Sequence, residues 1–275
     1  MKYENLIIDG PYLAHRSWDA PYNLVSEKGE KVTMIHSFIM SLQSLRKKFL
    51  PSQTFVTWES HGTSSWRREL DPTYKPGSTP PPGYLSQLID LQIILFLLGF
   101  PQYWCPHNEA DDVVGTLSQS SKNSIIFTVD KDLSQLVNDH CHIYTGKEIL
   151  DSHAVEEKYK VKPNQIPLLL AITGDSSDNI TGFKGYGLKK ASDIIKKYPT
   201  IQEIPSSYNF DESKLLKNLK LTTINTECEL KEIRILTAEH TLDSILLKYN
   251  LHQLRKSIHL FKNIPNKTSS LTDFY

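Results

Sequence analysis

Three short apolar runs, each delivering an acid at its end, constrain the fold of this 275-residue chain more than any other feature. Leu6-Ile7-Ile8 runs into Asp9-Gly10, and Thr54-Phe55-Val56-Thr57-Trp58 into Glu59. Ser124 to Val129 runs into Asp130-Lys131-Asp132. Apolar runs without polar alternation are what strands buried on both faces look like, and such strands belong to parallel sheets covered by helices. Open sheets of this kind carry their sites at the C-terminal edge. The runs therefore predict an α/β fold with a mostly parallel central sheet whose acids meet along one edge. Cys141 to Tyr144 reads as a further short strand. Met34, Phe38, Leu42, Leu45 and Phe49 recur at helical spacing, which predicts an amphipathic helix over Thr33 to Phe49. Tyr84 to Leu98 predicts another, and a third continues through Val113, Val114 and Leu117.

That third helix opens with Glu109-Ala110-Asp111-Asp112. Acids in a first turn complement the helix dipole, but three carboxylates in four residues exceed that need. In an extended chain Asp130 and Asp132 would point the same way. Asp175 and Asp178 lie three apart, so a helical turn would set them on one face. Packed together without cations, these acids would repel, and some would stay protonated. Hard carboxylates suit Mg²⁺ or Mn²⁺. Two such ions about 3.5–4 Å apart suit phosphodiester hydrolysis, activating a water and stabilising the leaving oxygen. No Walker lysine loop, Ser-His-Asp order or HExxH competes with that chemistry.

Two stretches offer the complementary charge. Residues 61–83 break the pattern, rich in Ser, Thr, Pro and Gly, and carry Trp66-Arg67-Arg68 and Tyr74-Lys75. A long irregular insertion is commonly functional or disordered, and cations interleaved with aromatics suit phosphate contact and base stacking. After Asp178 come Gly182, Gly185 and Gly187. Five lysines then stand against Asp193 between residues 182 and 198: Lys184, Lys189, Lys190, Lys196 and Lys197. Glycines let backbone N–H groups approach an anion, and the following helix start adds partial positive charge. This is the arrangement of a helix-hairpin-helix. Lys162 to Ile172 predicts the helix before it, residues 213–260 further helices, and Asn263 to Tyr275 a polar tail.

Composition narrows the partners. With 31 basic and 31 acidic side chains, the chain is no simple histone-like binder. Its three cysteines lie far apart without a CxxC, against both a disulfide framework and a zinc site. That pattern indicates a reduced, cytoplasmic compartment. The N-terminus does not read as a signal peptide. Leu88 to Phe100, the longest greasy run, contains Asp90 and Gln92 and is too short to span a bilayer, so no membrane association is expected.

The order of these motifs resembles the flap endonuclease or 5′–3′ exonuclease family, which includes free-standing phage nucleases, phage ribonuclease H and the 5′ nuclease domain of bacterial DNA polymerase I. The resemblance covers roughly residues 5–200. It rests on Ile8-Asp9-Gly10, Trp66-Arg67-Arg68 with Tyr74-Lys75, Glu109 to Asp112, Thr128 to Asp132, and Gly174 to Ala191. It implies a PIN-like nuclease core over 1–160 with an arch or clamp insertion at about 61–85, a helical helix-hairpin-helix region over 161–262, and a tail over 263–275. Asp9, Glu109, Asp111 and Asp112, with Glu59 nearby, would face a first metal, and Asp130, Asp132, Asp175 and Asp178 a second. Arg67 and Lys75 would act at the scissile phosphate. Arg68, Tyr74, Gly182, Lys184, Gly185, Gly187, Lys189 and Lys190 would contact DNA.

The implied cofactors are two Mg²⁺ ions, replaceable by Mn²⁺, with K⁺ at the hairpin. The implied partners are DNA bearing 5′ flaps, nicks, gaps or 5′ ends, RNA–DNA hybrid as a further substrate, and replication proteins such as a single-strand-binding protein. The protein would act as a monomer and leave a 5′-phosphate product. Two departures stand out. Glu59 stands where the family usually has Asp, and Ser78 stands near a usual arginine. Two alternatives follow: a branched-DNA binder that cleaves poorly, and a PIN-like ribonuclease, against which the glycine hairpin speaks.

Overall fold

The computed structural model describes residues 3–22, 24, 25, 29, 31–60, 64–77, 79–235, 242–249 and 251. Ser78 and the expected tail over 263–275 lie outside the described residues. Nine strands and ten α-helices are assigned among them. Strands β1 (Asn5–Asp9), β2 (Gln53–Thr57), β3 (Gln102–Trp104), β4 (Ser124–Phe127), β5 (Cys141–Tyr144), β6 (Ile149–Leu150) and β9 (Lys231–Glu232) form one sheet, ordered β6-β5-β4-β1-β2-β3-β9. The five inner strands are parallel and the two edge strands antiparallel.

Successive side chains of a strand face opposite ways. Leu6 and Ile8 of β1, with Ile125 and Phe127 of β4, enter a core formed with α1 (Gly10–Trp18), α2 (Thr33–Phe49) and α4 (Tyr84–Leu97). Ile7 and Ile126 enter a second core on the opposite face, with Val113 and Val114 of α5 (Ala110–Gln119). That is why these strands lack polar alternation. The second core runs without interruption into α7 (Ile166–Thr173), α8 (Leu188–Lys197) and α9 (Glu212–Thr222). The helical region therefore shares its apolar interior with the sheet.

Several local expectations are replaced. The insertion contains a short helix, α3 (Trp66–Leu70), capped by the Ser65 hydroxyl. The segment after α9 is not wholly helical. Its β9 pairs antiparallel with β3, and α10 (Leu242–Lys248) sets Ile245 and Leu246 into the first core beside α4. The Lys248 amine donates to Asp90 of α4 at 2.6 Å, and Tyr249 donates to the same oxygen. No described helix is long and apolar enough to cross a membrane, and the three cysteines are free and buried.

Candidate metal centre and nucleic-acid interface

The parallel register brings the ends of β1, β2 and β4 to one edge. Asp9 lies opposite Thr57, two residues before Glu59, and Ile8 lies opposite Phe127, three before Asp130. Asp9 both ends β1 and caps α1, accepting from the Tyr12 N–H at 3.1 Å. Its other oxygen accepts from the Thr128 hydroxyl at 2.7 Å. The turn is tight: at Gly10 a Cβ would lie 2.1 Å from the Thr57 carbonyl oxygen. Burial pushes the Asp9 carboxyl up to about 6 against those two hydrogen bonds, with Asp130 adding to the rise. Burial, then the charge of Asp130, raises Asp111 well above its ordinary range. Glu59 is exposed at the strand end.

The second group of acids is assembled by turns. Asp130 and Asp132 do not alternate along an extended chain. Asp132 begins a 3-10 turn (Asp132–Leu136), and its N–H donates to Asp130 Oδ1 at 2.9 Å. Asp175 and Asp178 are not on a helix. Asp175 ends β7 (Gly174–Asp175), and Asp178 lies in the turn before β8 (Ile180–Thr181). The turn closes with Asn179 in the left-handed region at φ 58°. The two turns bring Asp132, Asp175 and Asp178 together, each offering an oxygen within 4.8 Å of the others. Asp132 Oδ1 is buried without a hydrogen-bond partner. Burial, then Asp130, Asp175 and Asp178, holds the Asp132 carboxyl well above its usual range. Three clustered carboxylates, one of them with an orphaned buried oxygen, fit a hard divalent cation. Asp175 is balanced locally: its Oδ1 accepts from Lys131 at 2.8 Å and from the Ser177 N–H at 3.0 Å.

The insertion is fastened to these acids. Tyr74 is 3% exposed, and its hydroxyl lies 2.9 Å from Asp178 Oδ2 and 3.2 Å from Glu109 Oε2. Its ring, expected to meet DNA, is inside, packed with Ile180 and Leu221. Lys75 sits in the left-handed region at φ 44°, with its N–H on the Asp178 carbonyl and its Nζ 3.1 Å from Glu109 Oε2. Burial opposes the charge of Lys75, but Glu109, Asp111, Asp178 and Glu59 outweigh it and hold the amine above its ordinary value. Burial likewise opposes the charge of Glu109, and Lys75 with Arg67 brings it below the usual range.

Arg67 and Asp112 depart from expectation. Asp112 is fully buried and Arg67 is 3% exposed. The guanidinium grips both Asp112 oxygens, at 2.7 and 2.8 Å, and donates to the Leu221 and Thr223 carbonyls at 2.9 and 3.0 Å. Asp112 also accepts from the Glu109 N–H at 3.1 Å and the Asn225 N–H at 2.8 Å. Both residues therefore spend their charge on each other and on backbone groups inside the protein. Arg68 is exposed and reaches the Lys75 carbonyl at 2.7 Å.

The three hairpin glycines differ. Gly182 is required for packing, since a Cβ there would lie 2.2 Å from the backbone of Thr173. Gly185 has φ +86°, and Gly187, the N-cap of α8, faces open space without a capping side chain. Lys184, Lys189 and Lys190 are exposed beside them. Sequence reasoning did not single out Thr128, Ser65, Lys131 or Lys214 as partners. Only Lys131, between two acids, carried a local signal.

A parallel sheet edge lined with clustered carboxylates, beside a lysine-flanked glycine hairpin, is the architecture of a nuclease. The chain belongs to the 5′–3′ exonuclease family. Residues 4–160 match the family's N-terminal resolvase-like domain and residues 161–264 its C-terminal SAM fold. A 5′–3′ exonuclease of Buchnera aphidicola (subspecies Baizongia pistaciae) is 30% identical over 277 residues, 98% of this chain and 89% of that protein. The thermostable DNA polymerase I of Thermus caldophilus is 32% identical over 205 residues, 72% of this chain but 24% of the polymerase. The fold matches that of T5 D15 protein co-crystallised with metal ions, at TM-score 0.66 and 22% identity over 94% of this chain and 97% of that one. It also matches flap endonuclease-1 from Methanococcus jannaschii, at 0.63 and 14% over 97% and 94%.

Proposed function

We propose that this protein is a structure-specific 5′ nuclease that hydrolyses phosphodiester bonds of DNA at flaps, nicks, gaps and 5′ ends, leaving a 5′-phosphate. RNA in RNA–DNA hybrid is a further substrate under the same reading. The observation that carries it is the trio Asp132, Asp175 and Asp178 with the orphaned Asp132 oxygen. Asp9 and Asp111 would hold one divalent ion and that trio the other, with Asp130, whose charge bears on both Asp111 and Asp132, between them and Glu59 and Glu109 at the first ion's edge. Such ions, Mg²⁺ or Mn²⁺, supply an activated water and charge neutralisation when bound. The chain's own groups do the rest. Lys75, kept cationic by its acids, holds the scissile phosphate. Tyr74 spans the two acid groups and sets their spacing. Arg67 and Asp112 act as a buried brace for the start of α5. Lys184, Lys189 and Lys190, with the backbone at Gly185 and Gly187, grip the duplex.

The test is a 5′-labelled flap duplex with Mg²⁺, with EDTA and Asp178→Ala as controls, and a matching RNA-strand flap alongside. Metal-dependent cleavage near the junction, abolished in Asp178→Ala and Asp130→Ala with DNA binding retained, is expected. Binding without cleavage in both Mg²⁺ and Mn²⁺ would refute catalysis. Cleavage of RNA alone would move the assignment to a ribonuclease.

A further inference from the structure

One lysine beside the hairpin turns its amine onto the hairpin's own backbone. Lys214, in the first turn of α9, is half-buried. Its Nζ donates to the Gly182 carbonyl at 2.8 Å and lies 4.8 Å from the centre of the Phe183 ring. One turn on, Asn218 is buried, and its amide donates to the Ala171 and Thr181 carbonyls, each at 3.0 Å. A single face of α9 thus holds two successive carbonyls, Thr181 and Gly182, at the root of the glycine turn. Retreat is blocked from the other side, where Gly182 packs against the Thr173 backbone and the Phe183 N–H donates to the Ile172 carbonyl at 2.8 Å. The Phe183 and Tyr186 rings both meet Phe210, each at 4.8 Å.

A carbonyl oxygen turned away from the backbone ladder needs another donor or a cation. An ammonium between that oxygen and an aromatic face supplies both. We propose that Lys214 is a positioning residue for the duplex grip, its ammonium standing on the Gly182 carbonyl as a built-in monovalent cation. It fixes residues 183–187 so that the first turn of α8 and Lys189 and Lys190 meet the duplex backbone together. The proposal rests on reading the hairpin as that grip. It carries a consequence for this chain: duplex affinity needs no K⁺ at the Gly182 carbonyl.

The alternative is that Lys214 touches phosphate itself, and salt separates the two. A lost phosphate contact releases one fewer counterion and lowers the log–log salt slope by about one, whereas a lost internal bond leaves the slope alone. Fluorescence anisotropy with a labelled duplex in EDTA, on the full chain, reads both. It is run across an N-methylglucamine chloride series, whose cation is too large for a carbonyl site, and at one ionic strength in KCl and in N-methylglucamine chloride. Wild type is expected to bind equally in the two cations. Lys214→Met is expected to bind about tenfold more weakly, the scale of one charge-assisted hydrogen bond, with an unchanged slope and partial rescue by K⁺. Lys214→Arg, which keeps the donor, should bind as wild type does. A slope lowered by about one in Lys214→Met overturns the proposal in favour of a phosphate contact. So does a wild type that already requires K⁺. Lys189→Ala with Lys190→Ala is the control on the underlying reading. If that double variant keeps its affinity and slope, the duplex grip itself fails. If it weakens while Lys214→Met does not, only the proposal fails.

Discussion

Removing one partner of the Arg67–Asp112 pair separates two roles for Asp112, metal ligand and buried brace. The pair is inside the protein, 3% and 0% exposed, and its bonds cross three elements: α3, the start of α5 and the end of α9. Asp112→Asn keeps the shape but removes the charge and turns an N–H toward a guanidinium that has no acceptor of its own. Arg67→Met leaves Asp112 with the Glu109 and Asn225 N–H groups as its remaining donors. Breaking a buried pair from one side typically costs about 3–5 kcal/mol, because the other charge stays buried and uncompensated. At about 2–4 °C per kcal/mol for a chain near this size, each single variant should melt roughly 6–20 °C lower. Arg67→Met with Asp112→Leu removes both charges and should lose much less than the sum, since the neighbours then face no orphaned ion. Calorimetry in EDTA measures all three, and Mn²⁺ titration followed by spin resonance counts bound ions. The brace predicts a large loss of stability with ion stoichiometry unchanged in Asp112→Asn at temperatures where it is folded. A variant that melts within about 2 °C of wild type, less than the shift of 1 kcal/mol, but binds one ion fewer would refute the reasoning and make Asp112 a ligand.

The remaining predictions concern the acids and the glycines. Tyr74→Phe keeps the buried ring but removes the hydroxyl from Asp178 and Glu109, so the Mg²⁺ concentration for half-maximal cleavage should rise several-fold while saturating Mg²⁺ restores most activity; an unchanged metal dependence would exclude the bridge. Asp9 and Asp132 have folded-state carboxyls above their unfolded values, so the folded chain binds more protons there and these groups cost stability as pH rises, for Asp9 through about 6. A bound cation removes that cost, so the Mg²⁺-minus-EDTA difference in melting temperature should widen from pH 5 to pH 7 in these terms, and a difference that narrows would count against both carboxyls as ligands. Gly182→Ala should cost about 1–3 kcal/mol or more, because its Cβ meets fixed backbone. Gly187→Ala, facing open space, should leave the melting temperature alone but weaken duplex affinity. Equal melting of the two would show that the hairpin root yields.

Local pattern carried much of this protein. The helix read from Met34, Phe38, Leu42, Leu45 and Phe49 is α2 with the same bounds, and the apolar runs before Asp9, Glu59 and Asp130 are the adjacent strands β1, β2 and β4. Those signals survive because buried strands and amphipathic helices write their period into neighbouring residues. The short strands β3 and β9 left no such mark, since three and two residues are too few for a period. Spacing named the acids but misjudged how they are held. Asp130 and Asp132 meet through a turn, and Asp175 and Asp178 through a β-hairpin, because the backbone there follows side-chain caps rather than a repeat. Nothing local distinguishes Asp111, beside the acids, from Asp112, which faces Arg67. Nor does anything around Lys214 announce a carbonyl 32 residues away. The sequence by itself determined which residues are buried in strands and helices and which charges are available, since both are properties of short segments. Only the tertiary structure decided which charges cancel inside the protein and which remain to face a metal or a phosphate. That choice depends on partners distant in the chain and on the burial that makes an unpaired charge costly.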